Sequence, residues 1–167
     1  MLSVSGMLLL AVTALPGHAQ PLSDPVPCSP EVQVLASAAL GHIAEARDLP
    51  DFGLVAADRP ILVGNFVSGL NCALQDEALP TPSELPLHLV TPGQLQSAAN
   101  TRGRVQYVEI SDARRIDEIQ AVVVVGVGML LPEDSDQRLE CCCSGEAAFK
   151  DVESTWVFVQ WRAVVCS

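Results

Sequence analysis

Residues 105–166 carry the pattern that most restricts the fold, because apolar residues recur there with a period of two, in long runs separated by short acidic stretches. That is the spacing of a strand with one buried face, so this half of the chain predicts an antiparallel meander. Residues 105–116 alternate, Asp117 and Glu118 fall where a two-residue hairpin turn would stand, and residues 119–130 (IQAVVVVGVGML) are apolar on both faces. Such a turn sets Ile110 against Val125, Val108 against Val127 and Tyr107 against Gly128. The register places apolar side chains opposite one another and lets the Tyr107 ring cover a residue with no side chain.

Residues 132–137 (PEDSDQ) turn the chain again. Their carboxylates lack the loop glycine and terminal Glu of an EF-hand, which makes this a solvated turn and not a calcium site. Residues 139–152 and 155–166 then form a last hairpin around Glu153 and Ser154. In its second strand Val157, Val159, Trp161, Ala163 and Val165 share an apolar face, expected to pack on a helix. Trp156, Phe158, Gln160, Arg162 and Val164 make a mixed face, open either to solvent or to a second copy in a homodimer.

The helix is written into the first half. Ser29 is an N-cap, Pro30 suits the first helical position and Glu31 meets the positive end of the dipole. Leu35, Ala39, Ile43 and Ala46 follow at helical spacing, Arg47 falls in the last turn and Pro50 stands beyond it. Residues 60–68 (PILVGNFVS) read as one strand, and residues 79–92, with four prolines, as an irregular loop. Thr91, Pro92, Gly93 and Gln94 form a capping-box pattern that opens a short second helix, closed near Gly103.

Twenty Asp and Glu against nine Lys and Arg give a net charge of −11, which repels phosphate and so excludes nucleic acid and anionic membrane as partners. No charged residue occurs in residues 1–19. There, residues 7–15 (MLLLAVTAL) form an apolar core too short to span a bilayer, and Gly17 and Ala19 suit a signal-peptidase site, although the usual opening Lys or Arg is missing. Residues 1–19 are therefore expected to be a signal peptide, 20–28 a proline-rich lead, and 29–167 a single α+β domain. No lipid-attachment cysteine follows the core, so no membrane anchor is expected and the mature protein would be periplasmic or secreted.

Six cysteines in an exported chain suggest disulfides. A two-residue turn at Glu153 and Ser154 sets Cys141 opposite Cys166 in a non-hydrogen-bonded pair, whose Cα separation of about 4.5 Å suits a bridge. It also opposes Phe149 and Phe158. Cys142 and Cys143 must then look elsewhere, to Cys28 or Cys72. No CxxC spacing exists and the histidines are remote in sequence, so no metal site is expected.

A long N-terminal helix, an interrupted middle and a meander that contains residues 115–125 (RRIDEIQAVVV) and 148–161 (AFKDVESTWVFVQW) resembles the nuclear transport factor 2-like, or SnoaL-like, group. The resemblance implies an α+β cone in which the N-terminal helix packs on a curved antiparallel sheet. That group includes isomerases, cyclases and dehydratases as well as proteins with no chemistry, and none of its catalytic motifs maps onto this chain residue by residue. On chemical grounds His42 could serve as a base, Tyr107 as an acid or oxyanion donor, and Glu109 or Asp58 as a carboxylate. The plainer roles are packing for His42 and Tyr107 and solvation for Glu109. GVGM at 126–129 lacks the lysine and helix of a phosphate loop, and Ser68 and Ser144 have no nucleophile-elbow flanks, so no cofactor is expected. The sequence therefore favours a non-catalytic exported module for a small apolar ligand or a protein partner. The alternative is a small lyase or isomerase.

Overall fold

The computed structural model describes residues 25–56, 60–80, 85–136 and 142–166. The expected signal peptide, most of the proline-rich lead, Asp58 and Cys141 lie outside the described residues. Helix α1 (Pro30–Ala46) starts as its sequence requires, with the Ser29 hydroxyl accepting from Val32 N–H and proline in the first turn. It stops where Arg47 turns left-handed, at φ 56°, and donates its N–H to Ile43 O. Leu35, Ala39 and Ile43 are buried as the spacing predicts. The stripe drifts to Leu40 and Ala44, however, and leaves Ala46 exposed.

After the short helix α2 (Phe52–Ala56), the run expected to be one strand divides at Asn65 into β1 (Ile61–Gly64) and β2 (Phe66–Val67), which pairs with β3 (Cys72–Ala73). A 3-10 turn (Asp76–Ala78) leads to β4 (Leu87–Val90), which lies inside the segment expected to be an irregular loop. β4 pairs in parallel with β1 along its whole length, from Ile61 with Leu87 to Gly64 with Val90. Four residues that begin straight after Pro86 are too few for a period to show. Helix α3 (Pro92–Arg102) follows with the full capping box, Thr91 and Gln94 bonding each other's backbone N–H groups.

Strands β5 (Val105–Arg115), β6 (Gln120–Leu130), β7 (Cys143–Val152) and β8 (Thr155–Cys166) make the antiparallel meander, and the sheet order is β4-β1-β5-β6-β7-β8. This is α+β, but the cone is not what forms. The sheet is open and not strongly curled, and β1 lies parallel to both its neighbours. Parallel neighbours need long crossovers, here the β2–β3 excursion and α3, and those crossovers carry the chain across the sheet instead of curling it.

The register of Ile110 with Val125, Val108 with Val127 and Tyr107 with Gly128 forms as expected. The turn does not. A bulge at Ser111 shifts the pairing so that Arg115 faces Ala121, and residues 116–119 form a longer loop in which Ile116 and Asp117 N–H both reach Gln120 O. The bulge is used, since Ser111 O accepts from Gly69 N–H and docks the turn after β2.

The last hairpin does turn at Glu153 and Ser154, both with positive φ, and pairs Phe149 with Phe158. Two bulges on β8, at Val159 and Arg162, then advance the register. The first brings Trp161 to the same face as Phe158, so that Trp156, Phe158 and Trp161 pack on the core while Val157 and Val159 face solvent. Near the turn this reverses the expected faces, whereas Trp161 packs on the core as expected. The second brings Cys166 opposite Cys143, and those two are bonded, so the expected Cys141–Cys166 bridge is not the one that forms. Cys28 and Cys72 form another bridge, which ties the chain before α1 to β3, and Cys142 is disulfide-bonded as well. The disulfides point to an oxidising, extracellular setting. No helix among the described residues is long and apolar enough to cross a membrane.

Candidate functional site

Alternation along β5 divides its side chains between two faces. Val108 and Ile110 join the core under α1, whereas Val105 and Tyr107 join Leu95 and Ala99 of α3 on the other side of the sheet. Tyr107 and Glu109 therefore share the α3 face, as their spacing predicts. The Tyr107 ring fits because it lies over a glycine on each adjacent strand, Gly128 directly opposite on β6 and Gly64 diagonally on β1. A Cβ on Gly128 would stand 2.5 Å from the ring's Cζ, and one on Gly64 would stand 3.2 Å from its Cδ2 and Cε2.

Beside this ring opens a cleft of about 300 Å³, lined by Asn65, Phe66, Ser68, Gln96, Tyr107 and Glu109 among others. Asn65 is held at the junction of β1 and β2, where its N–H bonds Val90 O at 2.9 Å and its O accepts from Leu74 N–H at 2.6 Å. Its side-chain Oδ1 is buried with no partner, alone in this among the described side chains. Glu109 is half-buried and is not the solvated charge that its sequence context suggested. Loss of hydration raises its carboxyl above the ordinary 4.5, and hydrogen bonding with Tyr107 opposes that rise. The Tyr107 hydroxyl is raised as well, by burial first and then by the adjacent Glu109 carboxylate. Among the described residues, no Lys, Arg or His lines the cleft.

A second concavity, of about 590 Å³, lies on the opposite side of the sheet, between α1 and the tip of the last hairpin. Its apolar walls include Pro27, Val34, Ala38 and Trp156, and its polar groups include Gln33, Gln75, the Glu77 carboxylate and hydroxyls. Those two glutamines are positioned by each other and by the backbone. Gln33 donates to Cys28 O, and its side-chain oxygen accepts from Gln75 N–H at 3.1 Å. The Arg115 guanidinium lies 5.1 Å above the Trp156 ring and reaches Glu31 of α1 at 3.3 Å, which holds the indole against the helix. Ala38, Thr155 and Trp156 also line a further hollow along α1 that contains His42, Glu45 and Phe158.

The three described acid–base candidates do not converge, and Asp58 lies outside the described residues. Tyr107 and Glu109 meet in the α3-side cleft, and His42 is on α1, against the other face. The His42 ring stacks on Phe158 at 3.7 Å, and its Nε2 lies 3.0 Å from Asp48 Oδ2, which also accepts from Trp161 Nε1 at 3.2 Å. Sequence reasoning missed Asp48, Asn65 and the Gln33–Gln75 pair. Only Asn65 left a signal, as the one amide inside an apolar β-branched run. Compared with protein-family models, curated proteins and solved structures, the chain matches none.

Proposed function

We propose that the protein is an exported, disulfide-held, non-catalytic module that takes a small apolar ligand in the groove between α1 and the β7–β8 hairpin. The observation that carries this reading is the groove itself. It has a ligand-sized volume, mostly apolar walls, a clamped indole and two oriented amides, the usual composition of a small-molecule site. Export rests on the apolar leader at residues 7–15 with cleavage near Ala19, and the disulfides fit a periplasmic or secreted destination. The test is a fluorescence titration with N-phenyl-1-naphthylamine, a neutral apolar probe, reading energy transfer from the indole. Saturable binding that is lost in Val34→Asp supports the groove, and binding unchanged in that variant refutes it.

One observation favours a second reading, acid–base chemistry of the lyase or isomerase kind. Tyr107 and Glu109, both with raised pKa values, share one cleft. Against it stands the placement of His42 on the other face, which leaves this pair without a third titratable group among the described residues.

A further inference from the structure

Among the described residues, the carboxylate in the α3-side cleft has no cation to neutralise it. Among the described residues the ion pairs are Arg114 with Asp112 and Glu146, Arg115 with Glu31, and His42 with Asp48, and none reaches Glu109. The other polar groups lining the cleft are the Asn65 and Gln96 amides and the Ser68 and Tyr107 hydroxyls. The walls between them are apolar or aromatic, from Phe66, Leu95, Tyr107 and Leu130. A half-buried carboxylate without a counter-charge is unfavourable as it stands, and the group that relieves it best is a cation that brings its own N–H donors.

We infer that this cleft binds a small primary ammonium compound, its –NH3+ group on Glu109 and its short apolar tail against Phe66, Leu95 and Leu130. Three properties select that class. A cation over an aromatic ring is attracted by the ring's negative face, which Phe66 and Tyr107 can offer, and the net charge of −11 raises the local concentration of cations and repels carboxylates and phosphates. A neutral apolar guest would cover Glu109 without pairing it. A divalent metal has too few hard ligands here, since no cluster of three ligating side chains occurs among the described residues. The volume equals about ten water molecules at roughly 30 Å³ each, enough for an alkylammonium of a few carbons and too little for a peptide segment. The inference is independent of the α1 groove, which lies across the sheet.

Tyr107 is the chain's single tyrosine, so its ring resonances report on this cleft without ambiguity. The experiment is an NMR titration of the protein with propylammonium chloride at constant ionic strength, at a pH well above the carboxylate range, with 1-propanol, sodium propionate and potassium chloride as separate arms. Saturable shifts of Tyr107 with propylammonium alone are expected, weakened by about tenfold or more in Glu109→Gln. Equal shifts with propanol would show a merely apolar cleft, and equal shifts with potassium chloride an unspecific cation effect. Either overturns the inference, as does undiminished binding in a folded Glu109→Gln protein. Should that variant fail to fold, the wild-type titration repeated at falling pH decides, because protonating Glu109 must release the ammonium. Affinity that does not fall overturns it too.

Discussion

Replacing Gly128 by alanine adds one carbon at a place where the sheet has none to spare. The new Cβ would stand 2.5 Å from Cζ of Tyr107 and 2.8 Å from Cε1 and from the hydroxyl oxygen, all inside the 3.4 Å at which ordinary contact begins. The ring cannot retreat far, because its other edge already lies close over Gly64. Overpacking of this kind costs about 1–3 kcal/mol, and the better strand propensity of alanine returns about 0.5–1 kcal/mol. The net expectation is a loss of about 1–2 kcal/mol. The assay is urea unfolding of wild type, Gly128→Ala, Tyr107→Ala and the double variant, with midpoints compared at equal m. With the ring gone, Gly128→Ala should cost nothing or stabilise slightly, so the coupling between the two positions should equal or exceed the single-variant loss. A neutral Gly128→Ala, or one equally costly without Tyr107, would falsify the claim that glycines on β1 and β6 exist to seat this ring.

Removing the Cys28–Cys72 bridge by changing both residues to alanine should cost about 4 kcal/mol, from the 44-residue separation that it closes, with a rise in the urea m-value as the unfolded chain expands. A loss below about 1 kcal/mol would mean that the pairing of β3 with the chain before α1 already holds these ends. Ser154→Gly should stabilise the protein by about 1 kcal/mol, read as a higher thermal midpoint, because φ of 66° favours a residue without Cβ; an unchanged midpoint would show that the turn can relax. Glu109 has a folded pKa raised above its unfolded value, so the stability it contributes is present below pH 4.5 and is lost as pH rises through the folded pKa. Glu109→Gln should therefore gain on wild type progressively across that window, and a gap independent of pH refutes the burial argument. In the same variant the Tyr107 phenolate, followed by ultraviolet absorbance, should appear at lower pH, because the carboxylate that opposes its ionisation is gone.

Local chemistry was readable wherever neighbours in sequence decide it. Ser29, Pro30 and Glu31 start α1, and Thr91 with Gln94 caps α3, through hydrogen bonds made within one turn. Glu153 and Ser154 turn the last hairpin, and the outer half of β5–β6 pairs as alternation requires. What failed was everything a bulge or a crossover could change. One extra residue flips every side chain beyond it, so the bulge at Val159 put Trp161 on the same face as Phe158, and the two bulges together moved Cys166 from Cys141 to Cys143. No pattern within the strand announces such a residue, because it is set by what the neighbouring strand and α1 must accommodate. The parallel pairing of β4 with β1 joins segments too short and too far apart for periodicity to link them. The cleft follows the same rule. The sequence by itself put Tyr107 and Glu109 on one face, since residues two apart on a strand must be. Only tertiary structure added Asn65 and Phe66 from the β1–β2 junction, set α3 over the pair, sent His42 to the opposite side, and left Glu109 half-buried with no cation among the described residues to meet it.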